Sequence, residues 1–387
     1  MRLIYISGPQ LTDSDFQLIR YFQRHDVNVL YLIRLTDTTL RGGVLDLKKS
    51  NLRNGIIRAD EVEEMELYKD YLDLKRVFFL KSKGNGGRKN ISTWRTLFQT
   101  IKLINHFNPD VIHLGGPLSH VWKLIYYLGI PIIGMVHDPI RHSSFTSKLE
   151  EKNRIIYFRK CCKLVLLSEV QKEIFCELYR IPADKIIINK MGEFDWLRLV
   201  KPIQSNIQSE YILYFGQIQS HKGLEFLCEA FEEVHKKHPH VHLVIAGKGR
   251  IYFDFEKYAQ KDYFHLINKY ITVPELAGLL KDCLFCVCPY KDATQSGCVQ
   301  TAFSSTVPVI VTNVGALPQA VTDGETGLVV PPCDVKALEQ AINKLLTNRN
   351  MLDSFRNNII SKWLPLMNWD KIGEKYISEY LKLENRV

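Results

Sequence analysis

The sequence has no apolar run approaching the ~20 residues of a membrane span, so no transmembrane segment is expected. Its opening residues, MRLIYISGPQL, carry only a short apolar stretch and no small-residue cleavage site. No secretory leader is expected on that pattern; the stretch reads instead as a first buried strand, in a chain expected to stay in the cytosol. The nine cysteines are an odd number in a long chain of this kind, so a disulfide framework is not expected. Cys283, Cys286 and Cys288 crowd together in LLKDCLFCVCPY, but no histidine stands near them at a zinc-ligand spacing. They fit a buried parallel strand, where cysteine packs well. A placed pair of carboxylic acids, which a glycoside hydrolase needs, is also missing.

What is present is a chain of 387 residues, too long for one ordinary core and suited to two domains of about 200 residues each. With 46% hydrophobic and 24% charged residues it has a normal globular composition. The formal net charge of +9 is compatible with nucleic acid, anionic lipid or an anionic substrate, and by itself does not choose among them.

Short apolar runs rich in β-branched residues predict strands at Arg2–Ser7, Val27–Ile33, Val77–Leu80, Val111–Leu114, Ile132–Val136, Leu164–Ser168 and Lys185–Asn189. Helical patterns lie between them, as at Asp13–Gln23 and Thr93–Phe107. This alternation predicts an α/β fold with a parallel sheet covered by helices. The charged stretch from Thr36 to Lys75 has no clear period, and the basic, glycine-rich KSKGNGGRK at Lys81–Lys89 reads as a mobile surface loop or a phosphate or headgroup contact. Polar residues after Pro202 mark a linker near Lys201–Glu210. A second alternation follows, with strands at Ile212–Phe215, His242–Ala246, Leu284–Cys288, Val309–Thr312 and Leu328–Val330. Trp369–Leu383 has the apolar spacing of an amphipathic helix.

The second half holds the densest chemistry. A strand ends at Gly216-Gln217, and Lys222-Gly223 opens a helix. A lysine at a helix start is electrostatically unfavourable unless an anion is there, and it can place a point charge on a diphosphate. In TQSGCVQT, Gly297 permits close backbone approach, the amides after it open a helix that can bind phosphate, and Thr294 and Ser296 add hydroxyls. Gly247-Lys248-Gly249 marks either a turn or a ligand contact.

The ordered series F-G-x-I-x-x-x-K-G, A-G-x-G, P-Y, S-G, P-V-I-V-T-N-V-G-A-L-P and D-G-x-T-G-L-V-V-P-P resembles glycosyltransferase family 4, most strongly from Tyr211 to Leu346. The resemblance implies two Rossmann-like domains facing across a cleft (GT-B-type), with a C-terminal helix crossing back to the N-terminal domain. On that basis the domains are 1–203 for the acceptor, 204–363 for the nucleotide sugar, and 364–387 for the returning helix. It implies a retaining transferase that moves a sugar from a nucleotide-diphosphate donor to a saccharide or lipid-linked saccharide, with no metal and no other cofactor, in surface-polysaccharide assembly. Donor-binding residues are then Gly216, Gln217, Lys222, Gly247, Thr294, Ser296, Gly297, Cys298 and Thr301. His137, after the strand Ile132–Val136, matches the family's histidine that touches the transferred sugar, and with Lys222 forms the catalytic pair. Gly8, Asp138, His142 and Glu193 are acceptor or cleft residues, although a solvated carboxylate is the plainer reading of Glu193.

Three departures stand out. The family's arginine after the strand-end glycine is replaced by Gln217, and its two glutamates eight positions apart fall on Ala293 and Thr301. A one-residue slip would make Gln300 the ribose partner instead. The losses leave open a non-catalytic nucleotide-sugar-binding partner of a transferase, and the fold shape also admits a sugar-nucleotide epimerase. Nucleic acid is not an expected partner. The segment WRTLFQTIKLINHF fits either an ordinary domain helix or one lying on an anionic membrane.

Overall fold

The computed structural model of the chain describes residues 1–47, 52–140, 147–293 and 297–384. They form two compact units, one of Met1–Pro139, Ser147–Gly192 and Trp369–Val387, the other built mainly on Glu193–Asn368.

The first unit is organised on an eight-stranded sheet. Its strands are β1 (Arg2–Ser7), β2 (Asn28–Thr36), β3 (Gly55–Arg58), β4 (Val77–Ser82), β5 (Val111–Leu114), β6 (Ile132–Val136), β7 (Lys163–Leu166) and β8 (Ile186–Ile188), in the spatial order β8-β7-β6-β5-β1-β2-β4-β3. All pairs are parallel except β3 with β4. The central strands are buried along their length, as with LIYIS of β1 and all of β5 and β6. That is why they read as continuous apolar runs rather than as alternation. Strand order reverses between β1 and β5, so the carboxyl ends of these two strands open the crevice where doubly wound sheets bind ligands.

Helices α1 (Thr12–Arg24), α2 (Ile91–Phe107), α3 (Lys148–Lys160) and α4 (Lys172–Tyr179) connect the strands. The aperiodic stretch after β2 holds a small hairpin (Arg41–Gly42 with Leu45–Asp46), strand β3 and short 3-10 turns. Its order comes from the burial of Met65, Tyr68, Tyr71 and Leu72, not from local periodicity. The loop after β4 is not the free loop expected. Lys81 is buried and ion-paired with Asp37, whose second oxygen accepts the Gly84 amide at 2.6 Å. Asn90 Nδ2 donates to the Lys83 carbonyl at 2.6 Å and closes the turn.

The last helix, which becomes α10 in chain order (Trp369–Glu384), belongs to this first unit. Gly373 lies flat on the Tyr21 ring, 2.1 Å from where a Cβ would stand, and Gly192 does the same for Trp369. Tyr380 Oη meets His113 Nδ1 at 2.5 Å in the buried interior. His113 stacks on Tyr5, whose hydroxyl donates to Asp15 at 2.7 Å; Tyr31 donates to the other Asp15 oxygen at 3.0 Å.

The second unit carries a six-stranded parallel sheet: β9 (Glu210–Phe215), β10 (Val241–Ala246), β11 (Phe264–Ile267), β12 (Cys286–Cys288), β13 (Val309–Thr312) and β14 (Gly327–Val330), in the order β11-β10-β9-β12-β13-β14. Its helices include α5 (Leu224–Lys237), α6 (Val273–Asp282), α7 (Gly297–Ser304), α8 (Val335–Thr347) and α9 (Arg349–Asn358). Cys283, Cys286 and Cys288 are buried in this core. The division between units falls at Gly192–Glu193 rather than at 203. The reason is local bonding: Phe194 N donates to Ser304 Oγ at 2.7 Å, and Ile203 N to the Pro274 carbonyl at 2.9 Å. Residues 364–368 stay with the second unit too, since Met367 O accepts the Glu193 amide.

The buried polar cluster has a pH signature. Burial pushes Asp15 from 3.8 up to about 7, so the folded state holds its proton longer. That stabilisation is complete below pH 3.8 and is lost as pH rises toward 7. Burial pulls His113 from 6.5 down to about 3, so its contribution is complete above pH 6.5 and is lost as pH falls toward 3. The two slopes oppose. Asp15→Asn removes one, and urea unfolding across this range is expected to show stability rising with pH more steeply than in the wild type, by up to about 1.4 kcal/mol per pH unit. An unchanged slope contradicts this arrangement.

Candidate functional site

In the second unit, strand order reverses between β9 and β12, and the predicted residues Gly216, Gln217, Lys222, Gly247 and Cys298 gather around that point. The carboxyl ends of β9 and β10 approach each other through their backbones. Gly216 (φ +127°) donates its amide to Ala246 O at 3.0 Å. A Cβ on Gly247 (φ +157°) would stand 1.7 Å from the Gly216 carbonyl oxygen, so no side chain fits there. The parallel pairing continues past the strands through a bridge of Ile218 with Gly249.

Across the reversal, Gly223 (φ +66°) precedes α5 and packs against the Pro289 carbonyl, 2.0 Å from a would-be Cβ. Only a glycine serves both the left-handed backbone and that contact. This brings Lys222 beside the end of β12. Its Nζ lies 3.7 Å from the centroid of the Tyr290 ring, a cation–π contact. Tyr290 is fully buried, and burial holds its hydroxyl well above the ordinary tyrosine range. Lys291 beyond it pairs with Glu225 at 2.7 Å. Tyr252 accepts the Leu224 amide at 2.9 Å and so occupies a donor in the first turn of α5.

Helix α7 begins at Gly297, which is exposed with open space around its Cα. Cys298 Sγ donates to the Phe215 carbonyl at 3.1 Å, tying α7 to the end of β9 beside Gly216. Thr301 is buried and its hydroxyl donates to the Gly297 carbonyl at 2.7 Å, which commits it to the first turns of α7. Gln217 is exposed; its backbone carbonyl accepts from Tyr214 Oη at 2.8 Å and its side-chain oxygen from Gln219 Nε2 at 2.9 Å. Thr294, Ser296 and His142 lie outside the described residues.

In the first unit, the reversal point holds Gly8, Gly115 and His137. Gly8 follows β1 in extended backbone (φ −109°) and its carbonyl accepts the Leu11 amide at 3.2 Å. Gly115 extends β5, donating to Ile6 O at 2.9 Å, and leaves 2.7 Å between a would-be Cβ and Ser7 Cβ. His137 follows β6. Burial lowers its pKa, against the raising effects of Asp138 and a hydrogen bond to the Gly115 backbone. The ring is therefore neutral at neutral pH. Its Nε2 is buried with no hydrogen-bond partner among the described residues. Asp138 is exposed and its carbonyl accepts from Arg154 at 2.5 Å.

Glu193 is displaced from the first-domain role expected for it. It belongs to the second unit and its carboxylate pairs with Arg198 at 2.7 Å. Sequence reading also passed over Tyr290 as the seat of Lys222, Tyr252 at the α5 start, and Gly115 beside His137. Only Tyr290 had a visible signal, the Pro-Tyr at a strand end.

Comparison with known proteins gives the family and the fold. Residues 209–348 match the model for glycosyl transferases group 1, and residues 16–189 match the model for glycosyltransferase family 4. The capsular polysaccharide biosynthesis glycosyltransferase CapM of Staphylococcus aureus is 24% identical over 374 residues, covering 87% of this chain and 93% of CapM. Among solved structures, sucrose-phosphate synthase of Thermosynechococcus elongatus aligns over 100% of both chains at TM-score 0.74 and 17% identity. HepE of Anabaena in complex with UDP-glucose aligns over 99% of both at TM-score 0.69 and 12% identity. The fold is α/β with two Rossmann-like domains. The chain belongs to the glycosyltransferase group 1/family 4 proteins, and it is an enzyme of the glycosyl-transferring class.

The backbone contact at the reversal point generates a direct test. Gly247→Ala forces the Gly216 carbonyl to move and is expected to lower stability by about 1–3 kcal/mol, measured by urea unfolding. A change within ±0.5 kcal/mol or so, the range of ordinary surface substitutions, contradicts the close approach.

Proposed function

We infer that this enzyme is a retaining glycosyltransferase that uses a nucleotide-diphosphate sugar and glycosylates a saccharide or lipid-linked saccharide in surface-polysaccharide assembly. The observation that carries the reading is the second unit's reversal point, where the close-packed Gly216, Gly223 and Gly247, the start of α7 at Gly297 and the ammonium of Lys222 come together within the residues matched to glycosyl transferases group 1. Such strand ends accept phosphates. CapM, similar over most of its length, acts in capsular polysaccharide biosynthesis by its name, and HepE is solved with UDP-glucose; both favour this substrate class.

In this reading the acceptor oxygen forms a bond to the anomeric carbon while the bond from that carbon to the diphosphate oxygen breaks. The acceptor proton passes to the departing phosphate oxygen, on the same face of the sugar. Lys222 stabilises the negative charge that grows on the diphosphate, and amides near Gly297 share it. Neutral His137 hydrogen-bonds a sugar hydroxyl through Nε2. No carboxylate nucleophile and no metal or other cofactor is needed, which is consistent with Ala293 and Thr301 at the glutamate positions. A lipid-linked acceptor places the enzyme at a membrane during turnover.

Lys222→Ala is expected to lower nucleotide-sugar turnover about 30-fold, from the loss of about 2 kcal/mol of charge-assisted stabilisation. An unchanged rate removes Lys222 from the role. The missing arginine at Gln217 favours one rival, a non-catalytic donor-binding partner. Calorimetric binding of a nucleotide sugar, with no transfer across a broad acceptor panel, would select that rival.

A further inference from the structure

Helix α2 has two unlike faces. Thr93, Thr96, Leu97, Thr100 and Ile104 are buried against the first unit. The opposite face exposes Ile91, Trp94 and Phe98 at i, i+3 and i+7, with Ile91 83% and Phe98 54% exposed. Arg95 and Lys102 stand on the same outward side. An apolar stripe facing outward is the inverse of the usual pattern for a domain helix.

The stripe continues onto neighbouring segments. The 3-10 segment His120–Tyr127 packs beside α2 and turns Leu124 and Tyr127 outward, Tyr127 at 66%. Leu149 at the start of α3 is 60% exposed. Arg88, Lys89, Trp94, His120, Lys123 and Leu149 line one shallow pocket, so the loop before α2, the 3-10 segment and the start of α3 share a surface. Trp94 is oriented there: its Nε1 donates to the Arg88 carbonyl at 2.8 Å and its ring stacks on Phe98 at 5.9 Å. Lys160 Nζ lies 4.0 Å over the Tyr127 ring.

The charge is one-sided. From Arg88 to Gly129 the chain carries Arg88, Lys89, Arg95, Lys102 and Lys123 against a single acid, Asp110. Asp110 is engaged by Arg2, through both the backbone amide at 2.6 Å and the guanidinium at 3.6 Å. Glu150 and Glu151 border Leu149, and Glu151 pairs with Arg154 at 3.7 Å.

Apolar residues exposed singly need no explanation, but a contiguous group rimmed by charge marks an interaction site. Trp and Tyr mixed with Lys and Arg around aliphatic side chains is the composition of an interfacial membrane segment. A second copy is a poor occupant, because a two-fold contact would set these cations against themselves. We propose that the outer face of α2, with Leu124, Tyr127 and Leu149, docks on an anionic lipid bilayer. Ile91, Phe98 and Tyr127 enter the headgroup layer, and Arg88, Lys89, Arg95 and Lys123 pair with lipid phosphates.

Co-sedimentation of the full chain with phosphatidylcholine vesicles, with and without phosphatidylglycerol, tests this without any nucleotide or sugar, so its outcome is separate from that of the transfer reading. Binding is expected only to the anionic vesicles and is expected to fall as salt rises. Ile91→Ser with Phe98→Ser, and separately Arg88→Gln with Lys89→Gln and Arg95→Gln, are each expected to lower partitioning about tenfold or more. Unchanged thermal melting is the expected control, since all five side chains are exposed. The proposal is overturned if the wild type stays in the supernatant with both vesicles, if it binds both equally, or if both variants bind like the wild type. A vesicle-free dimer that the variants convert to monomer also overturns it and assigns the face to a second copy.

Discussion

The second unit's site depends on two strand ends whose backbones touch. Gly216 and Gly247 follow adjacent parallel strands, and the carbonyl of one fills the space where the other would carry a Cβ. That contact leaves no room for a side chain at the end of β10 and keeps the ends of β9 and β10 bare. Gly223 repeats the device on the far side of the reversal by seating the turn before α5 on the Pro289 carbonyl. Lys222 is then delivered to the face of Tyr290, where it makes a cation–π contact and pairs with no carboxylate among the described residues. A lysine ammonium beside a helix start is a chemistry for phosphate rather than for a neutral ligand.

Much of this was legible in the sequence. Strands buried on both faces announce themselves as unbroken apolar runs, and β1, β5, β6, β9, β10 and β13 stand where those runs are. Glycines after such runs marked Gly216, Gly223 and Gly247. What was not legible depended on distant partners. Strand β3 is four residues on an antiparallel edge, too short for a period to show. The Lys81–Asp37 pair that ties the loop after β4 joins residues 44 apart in the chain, so composition alone made the loop look free. Glu193 read as a first-domain residue because the polar stretch after Pro202 resembled a linker, whereas backbone bonds to Met367 and Ser304 draw the segment into the second unit earlier. The seat of Lys222 was hidden for the same reason: Tyr290 lies far along the chain.

The first unit uses its buried polar groups differently. Asp15, Tyr5, Tyr31, His113 and Tyr380 contact one another and join the last helix to the sheet. The Nε2 of His137, two strands from β1, is buried with no partner among the described residues, as is that of His113. Burial keeps the His137 ring neutral and able to bind a hydroxyl.

The central claim, that the bare strand ends and Lys222 hold a diphosphate, is tested most directly by calorimetric titration of the wild-type enzyme with nucleoside diphosphates and the matching monophosphates. The account predicts that, for at least one base, the diphosphate binds about tenfold or more tightly than its monophosphate, the affinity gap worth about 1.4 kcal/mol that one charge-assisted contact supplies. Equal affinity for the two, or no binding of any nucleotide, would contradict it.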